Sequence, residues 1–395
     1  MQSEPGAHAP AGGIPLSVPE ISGNEWTYVK ECLDTGWVSV GPFVERFERN
    51  VARVAGTAHA VATTNATAAL HIALDLAGVG PDDEVVVPAL TFIAPAFAVR
   101  YLGAWPAFVD VEPEYGQLDP TRLAEFLDHG CVVEDGALRN ASTERRVAAL
   151  LPVHTLGHMV DMDPVLEIAE RYELPVIEDA AEALGAAYVR DGWSRPAGSL
   201  GLAGCLSFNG NKVVTAGGGG MIVTDRAELA ERARYLTTQA KDDPVAYVHR
   251  RVGFNYRISN VLAAIGAAQL EQLEEKVARK RSVAQRYAEA FADVPGLRLV
   301  AGPPWTSSAY WLSTVLLEDP FPLDNRALLA RLAAQGIQAR PLWQPLHRSP
   351  ALAAAGRADC PVAEWLAGRA LCLPSSTSLT EDEQQTVIDA VVSCC

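Results

Sequence analysis

The chain predicts an α/β fold: a mostly parallel sheet covered by helices, followed by a smaller unit of α+β type. Three observations carry this. From about residue 45 to 240, short apolar runs alternate with helical patterns, and strands separated by helices pair in parallel across one sheet. After about residue 250 a long helical stretch leads into mixed strands and helices. The 395 residues, 49% hydrophobic and 20% charged, are ordinary globular usage and enough for two or three structural units. The expected units are residues 14–250 and 251–395, with no linker visible in the composition.

The elements follow in order. "HAVATT" reads as a strand, "ATAALHIALDLAG" as a helix and "DEVVVP" as a strand. "IAPAFAVRYLG" is helical, "PAFVDV" a strand, and "DPTRLAEFLDHG" a helix with Asp119 as its cap. Then come "RVAALLPV" (strand), "DPVLEIAERYE" (helix), "LPVIED", "GCLSF" and "GMIVTD" (strands). In the second unit one helix is expected over about 260–291, then "WLSTVLLE" as a strand, "DNRALLARLAAQG" as a helix and two further helical segments.

Lys+Arg 32 against Asp+Glu 48 leaves a net charge of −16. This argues against a nucleic-acid or membrane-surface role, which needs a basic footprint. "MQSEPGAHAPAGG" lacks the basic and apolar regions of a secretory signal. No apolar run approaches the roughly 18 residues of a spanning helix. Seven cysteines stand without a CxxC pair, and Cys394–Cys395 closes the chain. Reduced thiols in a cytoplasmic protein are expected.

Ligands of open α/β sheets bind at the carboxyl ends of strands, and three features fall there. In "TTNATAAL" (Thr63–Leu70) a strand gives way to a small, hydroxyl-bearing helical turn. It is either a phosphate seat of free N–H groups or an ordinary N-cap by Asn65 or Thr67. In "LPVIEDAAEALG", Asp179 ends an apolar strand as a buried carboxylate that needs a partner, or as a cap for the next turn. In "LSFNGNKVVTAGGGGMIVTD", Lys212 sits beside a run of glycines, where backbone can approach closely.

An anion seat, a buried carboxylate and an amine together suit pyridoxal 5′-phosphate. Its phosphate takes a helix N-terminus, its ring nitrogen a carboxylate that keeps it protonated, and its aldehyde a lysine. Other motifs fail. A Walker A loop places its lysine after the glycines, whereas Lys212 precedes them. His154 and His158 have i, i+4 spacing, but Thr155 stands where a zincin needs glutamate, so no metal is expected.

"IEDAAEALGA", "SFNGNKVVTAGGGGMIVT" and "GFNYRISNVLAAIGAAQL" closely resemble the DegT/StrS-type nucleotide-sugar aminotransferases, pyridoxal phosphate enzymes of fold type I. The similarity runs from "IPLSVPEISGNEWTYVKECLDTGWVS" to "RPLWQPLH" and beyond, with the motifs in the family's order. "VPALTFIAPAFAVRYLGAWPAFVDVEP" is most similar to the branch making 4-amino-4,6-dideoxy sugars, including the legionaminic-acid and perosamine-type enzymes. The resemblance implies that Lys212 is the Schiff-base lysine and Asp179 the partner of the pyridine nitrogen. It implies that Ser207, with the backbone around Ala66 and Thr67, binds the phosphate, and that Phe92 stacks on the ring. Glu182 stands where many members carry Gln or His. Asn255 and Arg257 match a segment reaching the phosphate in the neighbouring subunit of a homodimer; without the family they read as a turn before a helix capped by Ser259.

The resemblance further implies amination, with L-glutamate as donor, at C4 of a nucleotide-linked 4-keto-6-deoxy sugar. A 3-keto sugar or keto-inositol acceptor, and a silent pyridoxal phosphate-binding regulator, are the alternatives. Some members carry histidine in place of the lysine and are dehydratases; Lys212 favours transamination.

Overall fold

A computed structural model describes residues 13–243, 245–356 and 358–394. The opening segment read for a secretory signal, apart from Gly13, and Cys395 of the terminal pair lie outside them.

Seven strands form the central layer: β1 (His59–Thr63), β2 (Glu84–Pro88), β3 (Trp105–Val109), β4 (Val147–Leu150), β5 (Ile177–Asp179), β6 (Ala203–Ser207) and β7 (Gly220–Thr224). Their order across the sheet is β3-β2-β4-β5-β6-β7-β1; parallel bridges Leu150–Val176 and Val153–Asp179 join β4 to β5. Only β7 runs against its neighbours, β6 and β1. The physical reason lies in the connection. No helix stands between Ser207 and Gly220, and a return without a crossover makes the next strand antiparallel.

The helices α1 (Glu25–Thr35), α2 (Pro42–Ala55), α3 (Ala66–Leu76), α4 (Ala94–Tyr101), α5 (Pro120–Gly130), α6 (Met162–Arg171) and α7 (Ala227–Thr237) accompany this sheet. One apolar cluster includes Phe47, Leu123, Val165, Leu206 and Phe208; a second includes Leu70, Ile72, Val85, Val99 and Ile222. Alternating strand residues contribute to the two: Leu206 and Met221 belong to the first, Cys205 and Ile222 to the second.

The single helix expected over 260–291 is two, α8 (Asn260–Leu270) and α9 (Leu273–Phe291). Their hydropathy differs along the chain: α8 is almost wholly buried, whereas α9 buries one face through Val283, Tyr287 and Phe291. A second sheet has the order β8 (Leu297–Leu299), β9 (Ser313–Leu317), β11 (Ala370–Leu373), β10 (Arg340–Pro341), all antiparallel. With α9, α10 (Asn325–Ala334) and α12 (Glu381–Val392) it encloses a third apolar cluster; α11 (Pro361–Arg369) precedes β11. The strand expected from Trp311 begins at Ser313, and the indole N–H of Trp311 bonds the Asn211 carbonyl.

The hairpins Cys131–Glu134/Ala137–Asn140 and Ala187–Arg190/Trp193–Pro196 carry no counterpart in the sequence reading. The described cysteines are free thiols. Among the described residues no helix is long and apolar enough to cross a membrane.

Candidate active site

The site forms where β1, β5 and β6 end. At the close of β1, Asn65 caps α3 by accepting from the Ala68 N–H at 2.8 Å. The cap satisfies one donor of the first turn; the N–H groups of Ala66 and Thr67 remain at the positive end of the helix. Gly220 allows β7 to lie against this turn: a Cβ there would overlap the Asn65 carbonyl and stand 2.6 Å from the Ala66 nitrogen. Ser207, at the end of β6, is buried and accepts only a long 3.4 Å bond from the Asn209 N–H.

β5 ends in two acids that face opposite ways. Glu178 is fully enclosed and saturated: its carboxylate accepts from the N–H groups of Gly198 (3.0 Å), Leu200 (2.6 Å) and Gly201 (2.6 Å). His154 adds a fourth donor. Its Nδ1 accepts from the Val160 N–H at 3.2 Å, so Nε2 carries the proton and donates to Glu178 at 3.0 Å. Asp179 is 3% exposed, accepts from the Ala181 N–H at 2.9 Å, and among the described residues has no ion-pair partner. Burial, with a smaller push from Glu182, raises its carboxyl from 3.8 to about 6, against the pull of the Ala181 N–H and of Lys212.

Lys212 reaches this pocket from the loop after β6. Its Nζ lies 3.3 Å from Glu182 Oε1 and 3.7 Å from the centre of the Trp311 ring. Glu182 Oε2 accepts from the Leu156 N–H at 2.9 Å, and burial raises its carboxyl despite Lys212. Leu156 presents that N–H from a left-handed backbone at φ 61°, a local strain that the surrounding packing must hold.

The other anticipated residues are placed as follows. Phe92 follows β2 and is 53% exposed, a large ring face left open at the end of the strand. Arg257 is taken up within its own chain: Nη1 donates to Glu48 Oε1 at 2.7 Å and to the Ala62 carbonyl at 2.9 Å. Asn255 is exposed, its backbone bridged to Thr238. His154 and His158 do not act together. His158 Nδ1 lies 2.6 Å from the Ser308 hydroxyl, and burial lowers its ring to about 4.

An open cleft of about 840 Å³ beside β3 shares none of these residues. Its buried acids are already satisfied, Glu84 by Asn140 and Thr143, and Asp110 by the N–H groups of Val362 and Ala363.

Pyridoxal phosphate fits the residues present. The glycine-backed turn at Ala66 and Thr67 with Ser207 suits a phosphate, the unpaired buried Asp179 suits a protonated ring nitrogen, and Lys212 suits the aldehyde. The sequence reading missed Trp311 and the Leu156 N–H. Neither carries a signal: Trp311 looks like the first residue of a strand, and a backbone donor has no side-chain signature.

Comparison with known proteins gives the family of the chain. Residues 19–392 match the DegT/DnrJ/EryC1/StrS aminotransferase family. The chain is 40% identical over 385 residues to GDP-perosamine synthase of Caulobacter vibrioides (strain ATCC 19089 / CIP 103742 / CB 15), covering 96% of this chain and 97% of the relative. It is 38% identical over 384 residues to EpsN of Bacillus subtilis (strain 168), which carries the name of a pyridoxal phosphate-dependent aminotransferase, covering 96% and 95%. Among solved structures, the aminotransferase TlmJ from Streptoalloteichus hindustanus superposes with a TM-score of 0.86 at 30% identity, over 96% of this chain and 98% of that one.

Proposed function

The chain belongs to the DegT/DnrJ/EryC1/StrS aminotransferase family, and from that premise we propose its substrates, its assembly and the work of each residue. It is a pyridoxal phosphate-dependent sugar aminotransferase. In our reading it moves an amino group from L-glutamate to C4 of a nucleotide-linked 4-keto-6-deoxy sugar, giving a 4-amino-4,6-dideoxy sugar. The observation that carries the reading is the meeting of Lys212, Glu182 and an unpaired, buried Asp179 at the strand ends beside the N-terminus of α3. The GDP-perosamine synthase relative supports a nucleotide-linked acceptor.

When bound, pyridoxal phosphate supplies an aldehyde that carries the amino group and a ring that accepts electrons from the adjacent carbon. The chain's residues do the rest. Ala66 and Thr67 N–H groups and the Ser207 hydroxyl would bind the phosphate, and Phe92 would lie against the ring. Asp179, ionised against a cation, would keep the ring nitrogen protonated. Lys212 Nζ would hold the aldehyde carbon and, as a free amine, would take and return a proton at the substrate carbon. Glu182 orients Lys212 through the 3.3 Å contact, and exclusion of water strengthens each of these interactions.

We further propose a cytoplasmic homodimer, with residues 14–250 holding the cofactor and 251–395 closing over the substrate. Large apolar side chains left open on one chain support the dimer, among them Trp26, Leu33, Trp37, Val245 and Val252. Exposed Asn255 is the group offered to the neighbour's phosphate, while Arg257 stiffens the segment through Glu48.

The test is a panel of UDP-, GDP- and dTDP-linked 4-keto-6-deoxy sugars incubated with nitrogen-labelled L-glutamate. Label at C4 of at least one sugar is expected. Label entering only a 3-keto sugar or a keto-inositol overturns the substrate assignment.

A further inference from the structure

Trp311 comes from the loop before β9, about a hundred residues beyond Lys212 in sequence, yet it touches the lysine's segment twice. Its indole N–H donates to the Asn211 carbonyl at 2.7 Å, and its ring centre lies 3.7 Å from Lys212 Nζ. The Ser17 hydroxyl donates to the same Asn211 carbonyl at 3.3 Å. Trp311 is itself held from behind. The ammonium of Lys280, on α9, donates to the Trp311 carbonyl at 2.9 Å and to the Ser375 carbonyl at 2.7 Å, and is 3% exposed. Burial lowers Lys280 to about 7, and the two carbonyls are the acceptors that its buried Nζ finds.

The two walls around Lys212 Nζ are also tied to each other. Glu182 hangs from the Leu156 N–H, and the next residue, Gly157, lies against the backbone of Trp311. A Cβ on Gly157 would stand 2.6 Å from the Trp311 nitrogen and 2.8 Å from that of Tyr310. The Gly157 carbonyl accepts from the Ala309 N–H at 2.9 Å. A cation over an indole face is attracted by the ring's quadrupole, whereas a neutral amine is not.

We propose that Trp311 is a positioning residue for Lys212: its indole face and Glu182 form a parking place for the free lysine ammonium, and its N–H fixes the backbone from which that lysine swings. This rests on Lys212 being the cofactor lysine. A lysine freed during transfer must stay within reach of the substrate carbon, and an unbraced four-carbon chain spreads over many rotamers. The brace joins the loop before β9 to the loop after β6, so the second sheet helps set the geometry of the first.

The test reads Lys212 itself in the full-length protein after removal of the cofactor. A trace amine-reactive reagent is applied at neutral pH, and the rate of modification at Lys212 is followed by peptide mass. Three proteins are compared with wild type: Trp311→Leu, Trp311→Phe, and wild type biosynthetically substituted with ring-fluorinated tryptophan, which keeps shape but weakens the electron-rich face. Lys212 should be modified about five- to tenfold faster in Trp311→Leu, and severalfold faster in the fluorinated protein, with Trp311→Phe closer to wild type. Unchanged modification in the fluorinated protein overturns the proposal, whether or not Trp311→Leu reacts faster, because shielding alone would explain the leucine variant. If Trp311→Leu does not fold, the fluorinated protein decides. A borohydride-trapped cofactor found on another lysine would instead refute the assignment of Lys212 beneath it.

Discussion

Asp179 is the residue at which charge and function are most tightly linked. Its folded carboxyl titrates near about 6 against an ordinary 3.8, chiefly because burial penalises the ionised form. Between those values the cofactor-free folded state binds more protons than the unfolded state. Its stability therefore falls as pH rises through that window and stays lower above it. Ionising Asp179 thus costs at most about 3 kcal/mol in the cofactor-free protein, and a protonated ring nitrogen is the partner that would remove the cost. Asp179→Asn should raise the thermal midpoint of cofactor-free protein at about pH 8 but not at about pH 4, while lowering turnover by orders of magnitude. Equal shifts at both pH values would show that the carboxyl is not proton-linked. Glu182 offers a second contrast. Glu182→Gln keeps an acceptor for the Leu156 N–H and should leave stability within about 1 kcal/mol. Glu182→Leu orphans that buried donor and should cost about 1–3 kcal/mol, read from denaturant midpoints. At this scale the sequence singles out Asp179 at the end of an apolar strand and Lys212 beside a glycine run, Glu182 enters only through the family resemblance, and the fold brings Glu182 against Lys212. Trp311 and Leu156 stayed hidden because their contribution is a contact across the fold.

Among the elements, β7 and α3 decide whether the proposed phosphate seat can form. Gly220→Ala forces a Cβ into the Asn65 carbonyl and the Ala66 nitrogen, so the helix start must move away from β7. Cofactor affinity should fall more than tenfold, measured by equilibrium dialysis, while far-ultraviolet dichroism stays unchanged. Affinity within a factor of two of wild type would place the phosphate elsewhere. The seven strands and helices α3 to α6 were legible from the sequence, since β2, β6 and β7 are buried throughout and read as apolar runs, whereas α1, α2 and α7 were not read. The split between α8 and α9 was not. Residues 260–291 contain no proline, and the single glycine, Gly266, lies inside α8 against Phe47. The turn at Glu271–Gln272 answers to tertiary contacts, among them Glu271 bonding Asn24, Tyr28 and Arg46. The reversed β7 was likewise invisible from its own residues and follows only from the absence of a helix before it.

For the whole molecule, a net charge of −16 repels a nucleotide sugar at long range. Binding must therefore come from local donors, and it should strengthen or stay flat with moderate salt instead of weakening steeply. A homodimer with shared sites makes a separate prediction. Lys212→Ala and Asn255→Asp chains, each impaired alone, should regain activity as heterodimers, since one site then combines an intact lysine with an intact neighbour; purified heterodimers no more active than either parent would confine each site to one chain. Lys212 is the proposed cofactor lysine, in the pocket formed with Asp179 and Glu182. The direct measurement is borohydride reduction of the holoenzyme followed by peptide mass mapping. The reduced pyridoxyl phosphate adduct is expected on the peptide containing Lys212, and none on Lys212→Ala. An adduct on any other lysine, or equal labelling of the alanine variant, would contradict it.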